Sequence, residues 1–350
     1  MSDSKTYEIS EHTHPDPVPA PEEGRLRRLG VAGLTRSGFF ASSAGRILPV
    51  FLLVVAALSL TANDFLTVDN ITNVLRQMVF VSIIAFAATF VIGMGGIDLS
   101  VGATTALTGL FMADLILNGV NIYLAIVAGL LLGCLIGLVN GLLIDRLGIS
   151  PFICTLAAMI ILRGVIMVYS QGVPLTGLGF SEFQWFGQGA VLGVPVPVVV
   201  MALVFAACWY LLYRTKYGRY VLSIGSNREA ARLVGISISR IEVSVYVMTG
   251  FAAALAGLLL TSRLEAAMPE AATNYELDVI AAVVIGGTGL SGGKASLAGT
   301  AIGAALMAVV RNGLNLLNVN TFWHQVVIGS IILVAVSFDA VSARRRARAA

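Results

Sequence analysis

Charge is what this sequence lacks. Only 12% of its 350 residues are Asp, Glu, Lys or Arg, about half of the roughly 25% found in ordinary soluble domains. The formal net charge is +3 and the basic residues form no stripe along a globular face, which removes a nucleic-acid binder. Cysteine is scarce as well. Cys134, Cys154 and Cys208 all sit in apolar runs, so they provide neither a secreted disulfide framework nor a metal-ligand spacing. Histidine is equally rare. His12 and His14 stand in a polar N-terminal stretch, where two histidines are more simply solvated than metal-bound. His324, the one histidine in the apolar part, reads as a core or interfacial residue. The sequence carries no G-x-S-x-G elbow, no HExxH helix and no His–carboxylate constellation, so a membrane-embedded enzyme has no catalytic cluster to work with. What is abundant is apolar: 57% of residues are hydrophobic and the mean hydropathy is +0.89. The composition is that of an integral membrane protein.

Residues 1–45 differ from the rest. An acidic, Pro-rich stretch from Asp3 to Glu23 is followed by Arg25, Arg27, Arg28 and Arg36. Too little apolar surface is present to pack a core, so a disordered cytoplasmic tail is expected there. The first apolar run, Ile47 to Asn63, begins too deep in the chain for a cleavable signal and lacks a small-residue cleavage site. From 46 to 340 apolar windows recur near 47–63, 77–94, 99–117, 122–144, 151–170, 194–213, 243–262, 277–288, 296–316 and 322–339. Most approach the roughly 20 residues that a helix needs to cross the hydrocarbon. They are uniformly apolar rather than alternating, which excludes a membrane barrel. Helices alone then satisfy their backbone in lipid. An all-α polytopic bundle of about ten crossings is predicted, with eight if the segments near 94–103 and 277–296 are re-entrant. Gly129, Gly133, Gly137 and Gly141 form a small-residue stripe on one face of a helix, which predicts close backbone approach to a neighbour.

Positive charge gathers in Arg25–Arg46, in Arg214–Arg240 and in a basic C-terminal tail over 341–350 with Arg344, Arg345, Arg346 and Arg348. The segments 171–193 and 264–278 hold Glu182, Glu265, Glu270, Glu276 and Asp278 instead. The positive-inside rule places both termini and the 214–242 loop in the cytoplasm. The chain also repeats the pattern GGxxLSxG, once from Gly95 to Gly102 and once from Gly286 to Gly293. Glycine clusters at matching places in two halves predict broken helices of the kind that hold substrate paths in repeat-built transporters. The plainer reading is a pair of tight turns at helix ends.

One resemblance is discarded on spacing. Leu290-Ser291-Gly292-Gly293-Lys294 looks like a nucleotide signature, but a phosphate loop needs GxxxxGK followed by Ser or Thr. Here the first position is Thr288 and the residue after Lys294 is Ala295. ATP hydrolysis by this chain is therefore not expected. The basic loop is more informative. Its centre runs Ser226-Asn227-Arg228-Glu229-Ala230-Ala231-Arg232-Leu233-Val234-Gly235. Ser226 as N-cap with Glu229 three residues on reads as a capping box, and Gly235 as a left-handed stop. So short a helix is marginal alone. It makes sense docked into a partner; the plainer alternative is a helix lying on the membrane surface.

This loop resembles the coupling ("EAA") loop of ABC transporter permeases. Taken with Gly96–Gly102, Tyr275–Gly287 and Asn312-Gly313-Leu314-Asn315, the chain from about Asn63 to Asp339 resembles the ribose/xylose-type sugar permease branch of that family. The resemblance implies a multi-pass permease of the bacterial inner membrane that moves a pentose, hexose or related polyol by alternating access. It implies a second permease subunit, usually an identical copy. Cytoplasmic ABC ATPase subunits and a periplasmic sugar-binding protein complete the set. No cofactor is expected on this chain, ATP and Mg belonging to the ATPase. ATPase coupling falls on Asn227, Arg228, Glu229, Ala230, Ala231, Leu233 and Gly235. The long N-terminal tail is not explained by the resemblance. A permease of the same class for a nucleoside, an autoinducer furanone or an amino acid is the near alternative. An ion-coupled secondary sugar transporter is the remote one, with Asp98 alone as thin support for its ion site.

Charges in the apolar windows need a reason, since a central charge costs roughly 2.5–3.5 kcal/mol on insertion scales. Asp98 or Asp114 could pair with Arg163, or Asp98 could line a sugar path and accept hydroxyl hydrogen bonds. Asp114 and Arg163 lie near helix ends and could instead snorkel to the interface. A neutral polyol calls for amides and hydroxyls along its path. By residue type Asp98, Ser100, Asn140, Asn312, Asn315 and Gln325 are the candidates.

Overall fold

The computed structural model describes residues 43–320, 322–331, 333 and 337. Apart from residues 43–45, the expected tails over 1–45 and 341–350, with His12 and His14, lie outside the described residues. Every expected apolar segment is helical over most of its described part. The helices are α1 (Ser43–Thr61), α2 (Val68–Gly93), α3 (Val101–Leu117), α4 (Ile122–Leu147), α5 (Pro151–Ser170), α6 (Ser181–Gln188) and α7 (Val196–Arg214). There follow α8 (Lys216–Ser226), α9 (Arg228–Leu233), α10 (Ile238–Leu264), α11 (Tyr275–Ile285) and α12 (Leu297–Leu316), then a helical stretch over 322–331. Six of them are long and apolar enough to cross a membrane by length and composition.

Local chemistry sets the boundaries. The Thr67 hydroxyl accepts from the Asn70 amide and starts α2 well before residue 77. Asp69, Asn70, Asn73, Arg76 and Gln77 hide that first part from a hydropathy window. Asn121 caps α4 through the amides of Tyr123 and Leu124, and Pro151 occupies the first turn of α5, where its missing N–H costs nothing. The segment expected over 277–288 stops at Ile285, because Gly286 and Gly287 break it. Its 11 residues rise about 16 Å, half of a hydrocarbon core of roughly 30 Å.

Helix α10 is the axis of the bundle, packed against α2, α3 and α4. The glycine stripe predicted on α4 explains the closest of these contacts. A Cβ at Gly133 would strike Ala254 and the Gly250 carbonyl, and one at Gly137 would strike the backbone of Tyr246 and Val247. Burial separates inner from outer helices: 72% of the apolar window is buried in α2 and 61% in α10, against 17% in α5 and 28% in α7. The latter two leave their apolar faces to lipid.

The bundle has two unlike ends. At the basic end sit α8, α9, the α4–α5 turn and the junction that follows α2. At the other, the 171–193 segment folds into α6 and a two-residue hairpin, β2 (Ala190–Val191) against β3 (Val194–Pro195). Leu192 and Gly193 both have positive φ in its turn, the conformation that a tight hairpin demands. This segment is tied to the 264–278 segment by β1 (Leu175–Thr176) pairing antiparallel with β4 (Ala266–Ala267). We call this the hairpin end.

Candidate functional site

The basic end is built from glycines that let backbones touch. After α2 the chain turns at Gly95 (φ +89°) and after α11 at Gly287 (φ +88°), so both copies of the repeated motif close a helix and precede another. The left-handed glycine that ends the helix falls at the first motif position in one copy and at the second in the other, and the second copy adds left-handed Gly292 and Gly293. The two junctions meet: the Gly293 amide donates to the Gly93 carbonyl at 2.8 Å. Gly225 of α8 lies against Gly93, Met94 and Gly293, with no room for a Cβ.

Helix α8 presents Gly218, Val221 and Ile224 inward, a spacing of three that the apolar windows did not bring out. Helix α9 follows directly. Its N-cap is Asn227, whose side chain accepts from the Ala230 amide at 2.9 Å. The expected capping box on Ser226 and Glu229 is therefore corrected. Ser226 is the last residue of α8, and the extended Asn227 separates the two helices. The stop at Gly235 is as expected, with φ +82° and its amide on the Arg232 carbonyl.

The two faces of α9 differ sharply. Ala231 is 2% exposed and joins the core cluster of Phe90, Met94, Val221, Ile224 and Tyr246. Leu233 is 87% and Val234 76% exposed, with Ala230 and Glu229 also outward. Arg228 ties α9 to the bundle. Its Nη1 and Nη2 donate to Glu242 Oε1 and Oε2 of α10 at 3.0 and 2.5 Å. These hydrogen bonds hold Arg228 above its usual pKa. The Glu242 side chain is only 4% exposed while that of Arg228 is 46% exposed, so solvent screens the cation but removing it would strand a buried carboxylate. An apolar knob in solvent, anchored from behind by an ion pair whose carboxylate is buried, is suited to receive force from a partner.

The path candidates separate into two groups. Asp98, Ser100 and Asn140 come together and are all buried. Asp98 Oδ1 accepts from the Ser100 amide at 2.9 Å and from its hydroxyl at 2.6 Å, and Asn140 Nδ2 donates to Ser100 Oγ at 2.9 Å. The Ser100 hydroxyl is thus spent on Asp98 and does not cap α3. The irregular stretch 96–100 carries the chain into the bundle, so that the first turn of α3 places Gly102 against Glu276 and the Ala272 carbonyl. It then runs beside the final turns of α10, Gly109 meeting Gly257 and Thr261. Asn312 stands elsewhere, in a reciprocal amide pair with Asn70: Asn70 Nδ2 to Asn312 Oδ1 at 3.0 Å, Asn312 Nδ2 to Asn70 Oδ1 at 2.7 Å. Asn315 and Gln325 are exposed. His324 is buried with its Nε2 3.2 Å from the Val319 carbonyl.

The expected pairing of Asp98 or Asp114 with Arg163 is not what the structure has. Asp114 accepts from the Tyr169 hydroxyl at 2.5 Å and from Asn118 Nδ2. Arg163 donates to the carbonyls of Pro269 and Ala271 at 3.3 and 2.9 Å, pinning the turn that dips between β4 and α11. Peptide carbonyls there carry no charge to betray them in the sequence. Sequence reasoning also passed over Asp278 of α11, which takes both carboxylate oxygens to Arg311 Nη2 of α12 at 2.6–2.7 Å. Both charges stand in apolar windows, which was the available signal. Beside this pair a cavity of about 30 Å³ has room for one water.

Helices that can cross a membrane, buried polar groups within them and a short helix with an exposed apolar face at one end fit a polytopic transport component. The chain belongs to the family described as the permease component of the branched-chain amino acid transport system, whose profile matches residues 70–336; members are transport components, not enzymes. It is 48% identical to the ribose import permease protein RbsC of Bacillus subtilis over 296 residues, 84% of this chain and 92% of that one. It is 45% identical to the ribose import permease protein RbsC of Escherichia coli K12, over 82% and 91% of the two chains. The L-arabinose ABC transporter permease protein AraH of Azospirillum brasilense is 37% identical, over 94% of each. No solved structure matches the chain.

Proposed function

We infer that this chain is the membrane permease subunit of an ATP-driven sugar importer. The observation that carries the coupling role is the exposed Ala230–Leu233–Val234 face of α9, held from behind by Arg228 and Glu242. Similarity to ribose and arabinose permeases along most of the chain supports a pentose or related polyol as cargo. The basic loops support a cytoplasmic location for α8, α9 and both termini, in a bacterial inner membrane. Two ABC ATPase subunits bind ATP and Mg and close on the α9 helices. A second permease copy completes the pathway. A periplasmic sugar-binding protein docks on the hairpin end, where the 171–193 and 264–278 segments are joined by β1 and β4. Alternating access then passes sugar through the bundle, with Asp98, Ser100 and Asn140 as hydroxyl-binding candidates.

A second reading is favoured by the family description itself, which names branched-chain amino acids. The test has two stages. The chain is drawn from native membranes in mild detergent, beside a Glu229→Arg/Ala230→Trp variant. Co-purification of an ATPase with the unaltered chain alone supports the coupling role, and its absence from both in several detergents overturns it. Uptake of labelled D-ribose, L-arabinose and L-leucine by cells expressing the complete transporter then separates the cargoes. Leucine uptake without sugar uptake would replace the sugar reading.

A further inference from the structure

Between the docking helix and the Asp98 group lies one stretch of α10 whose side chains neither the coupling helix nor the path accounts for. Glu242 holds Arg228 of α9 in the bidentate pair already described. One turn further along the same helix face, Tyr246 is fully buried, 0% exposed. Among the described residues its hydroxyl finds no hydrogen-bond partner, an unusual state for a buried polar atom. The hydroxyl rests on Gly96, where a Cβ would stand only 2.7 Å away. Gly96 is two residues from Asp98, whose carboxylate fixes Ser100 and through it Asn140.

We propose that Glu242 and Tyr246 are positioning residues that carry the displacement of α9 along α10 to the Gly96–Ser100 stretch, so that ATPase movement resets the Asp98 group. The proposal rests on the coupling role of α9. Its physical content is that α9 cannot leave Glu242 behind, because a buried carboxylate without its cation is strongly disfavoured. α10 therefore moves with α9. The Tyr246 hydroxyl, which touches Gly96 without being bonded to it, pushes on the stretch and slides as the stretch yields. An unbonded contact is what a sliding joint requires, since a hydrogen bond there would have to be broken at every cycle.

The experiment uses the complete transporter in proteoliposomes, with loaded binding protein and a panel of D-ribose, L-arabinose and D-xylose. The best substrate of the unaltered complex is carried through the series. Sugar imported and ATP hydrolysed are measured together for Glu242→Gln, Tyr246→Phe, Gly96→Ala and the Gly96→Ala/Tyr246→Phe double variant. Tyr246→Phe is expected to keep ATPase binding and basal hydrolysis while ATP spent per sugar rises about fivefold, the low end of ordinary site-to-site coupling. Gly96→Ala should jam the joint and abolish import, and removing the hydroxyl in the double variant should restore part of it. A purely structural role would lower abundance and melting temperature without altering the ATP-to-sugar ratio. An unchanged ratio in both Tyr246→Phe and Glu242→Gln overturns the proposal while the coupling role stands. If the unaltered chain binds no ATPase, both fall.

Discussion

The two ends of the bundle are joined by different kinds of contact. At the basic end backbone meets backbone at Gly93, Gly225 and Gly293, and a half-buried ion pair, Arg228–Glu242, links α9 to α10. At the hairpin end Gly187 of α6 also sits on the Arg263 backbone, but two-residue strands and single side chains do most of the joining: Arg163 to two carbonyls, the Ser262 hydroxyl to the Phe183 carbonyl, Gln188 to Arg263 and Glu265. Glycine contacts leave nothing to rearrange, since no side chain stands between the two backbones. Hydrogen bonds from long side chains to a turn can be exchanged one at a time. The basic end, where three glycines bring backbones together, is therefore the better built to pass on a displacement, and the hairpin end, with more of its joining done by side chains, to absorb one.

The largest effect expected from this difference is at the glycine-lined helix contact that reaches down to the basic end. Gly137→Ala would press a methyl into the Tyr246 and Val247 backbone. Overpacking of this sort costs typically 1–3 kcal/mol, occasionally more, and with rigid backbone as the obstacle about 3 kcal/mol is expected. Thermal unfolding of the detergent-purified protein would show it as a clear fall in melting temperature. An unaltered melting temperature would mean that α4 and α10 are free to separate, and the contrast between the ends would fail.

Next in size is Leu233→Asp. The side chain is 87% exposed, so abundance and melting temperature should stay unchanged. If Leu233 is a hot spot of the partner interface, its loss costs about 2 kcal/mol or more, which is more than tenfold in affinity. Quantitative co-purification of the ATPase reads it directly. Retained ATPase would move the docking surface away from this face of α9.

At the hairpin end the effect should be smaller and confined. Arg163→Met keeps the apolar stem and removes the donors to Pro269 and Ala271. Hydrogen bonds from charged groups are worth about 1.5–3 kcal/mol, and here the loss should stay local. Hydrogen exchange is expected to speed up across 266–276 while the α8–α9 region keeps its protection. Acceleration at both ends would show that they are coupled more rigidly than their contacts imply.

Some of this was open to inspection in the sequence. Apolar windows gave the spans because lipid leaves the backbone no alternative to a helix, and the stripe from Gly129 to Gly141 marked a close contact because only glycine allows it. The exposed α9 helix was visible through its stop signal at Gly235, although its cap was misassigned by one residue, since both Ser226 and Asn227 are good caps. What stayed hidden depends on distance in space. Arg163 finds carbonyls more than a hundred positions away, and Arg228 finds Glu242 only because α9 turns back onto α10. Asp98, Ser100 and Asn140 were chosen by residue type alone. Two of them lie close in sequence, but nothing in the chain announced that Asn140 would reach Ser100.

Asn312 gives the finest test, because type put it among the path residues and geometry gives it a structural partner. Its amide and that of Asn70 satisfy each other, joining the first turns of α2 to the last turns of α12. Truncating one partner leaves a buried amide unpaired, at about 1–3 kcal/mol, whereas replacing both with apolar groups of similar shape is nearly neutral. Asn70→Leu and Asn312→Leu should each lower the melting temperature, and the double variant should be more stable than Asn70→Leu alone, the bond from Asn70 Nδ2 to the Phe65 carbonyl remaining lost in both. Sugar uptake per folded transporter separates the two roles. If the pair only joins helices, the double variant imports normally. If Asn312 also offers its amide to passing sugar, import falls in the double variant although stability has partly returned, and the path must then extend from the Asp98 group to the contact between α2 and α12.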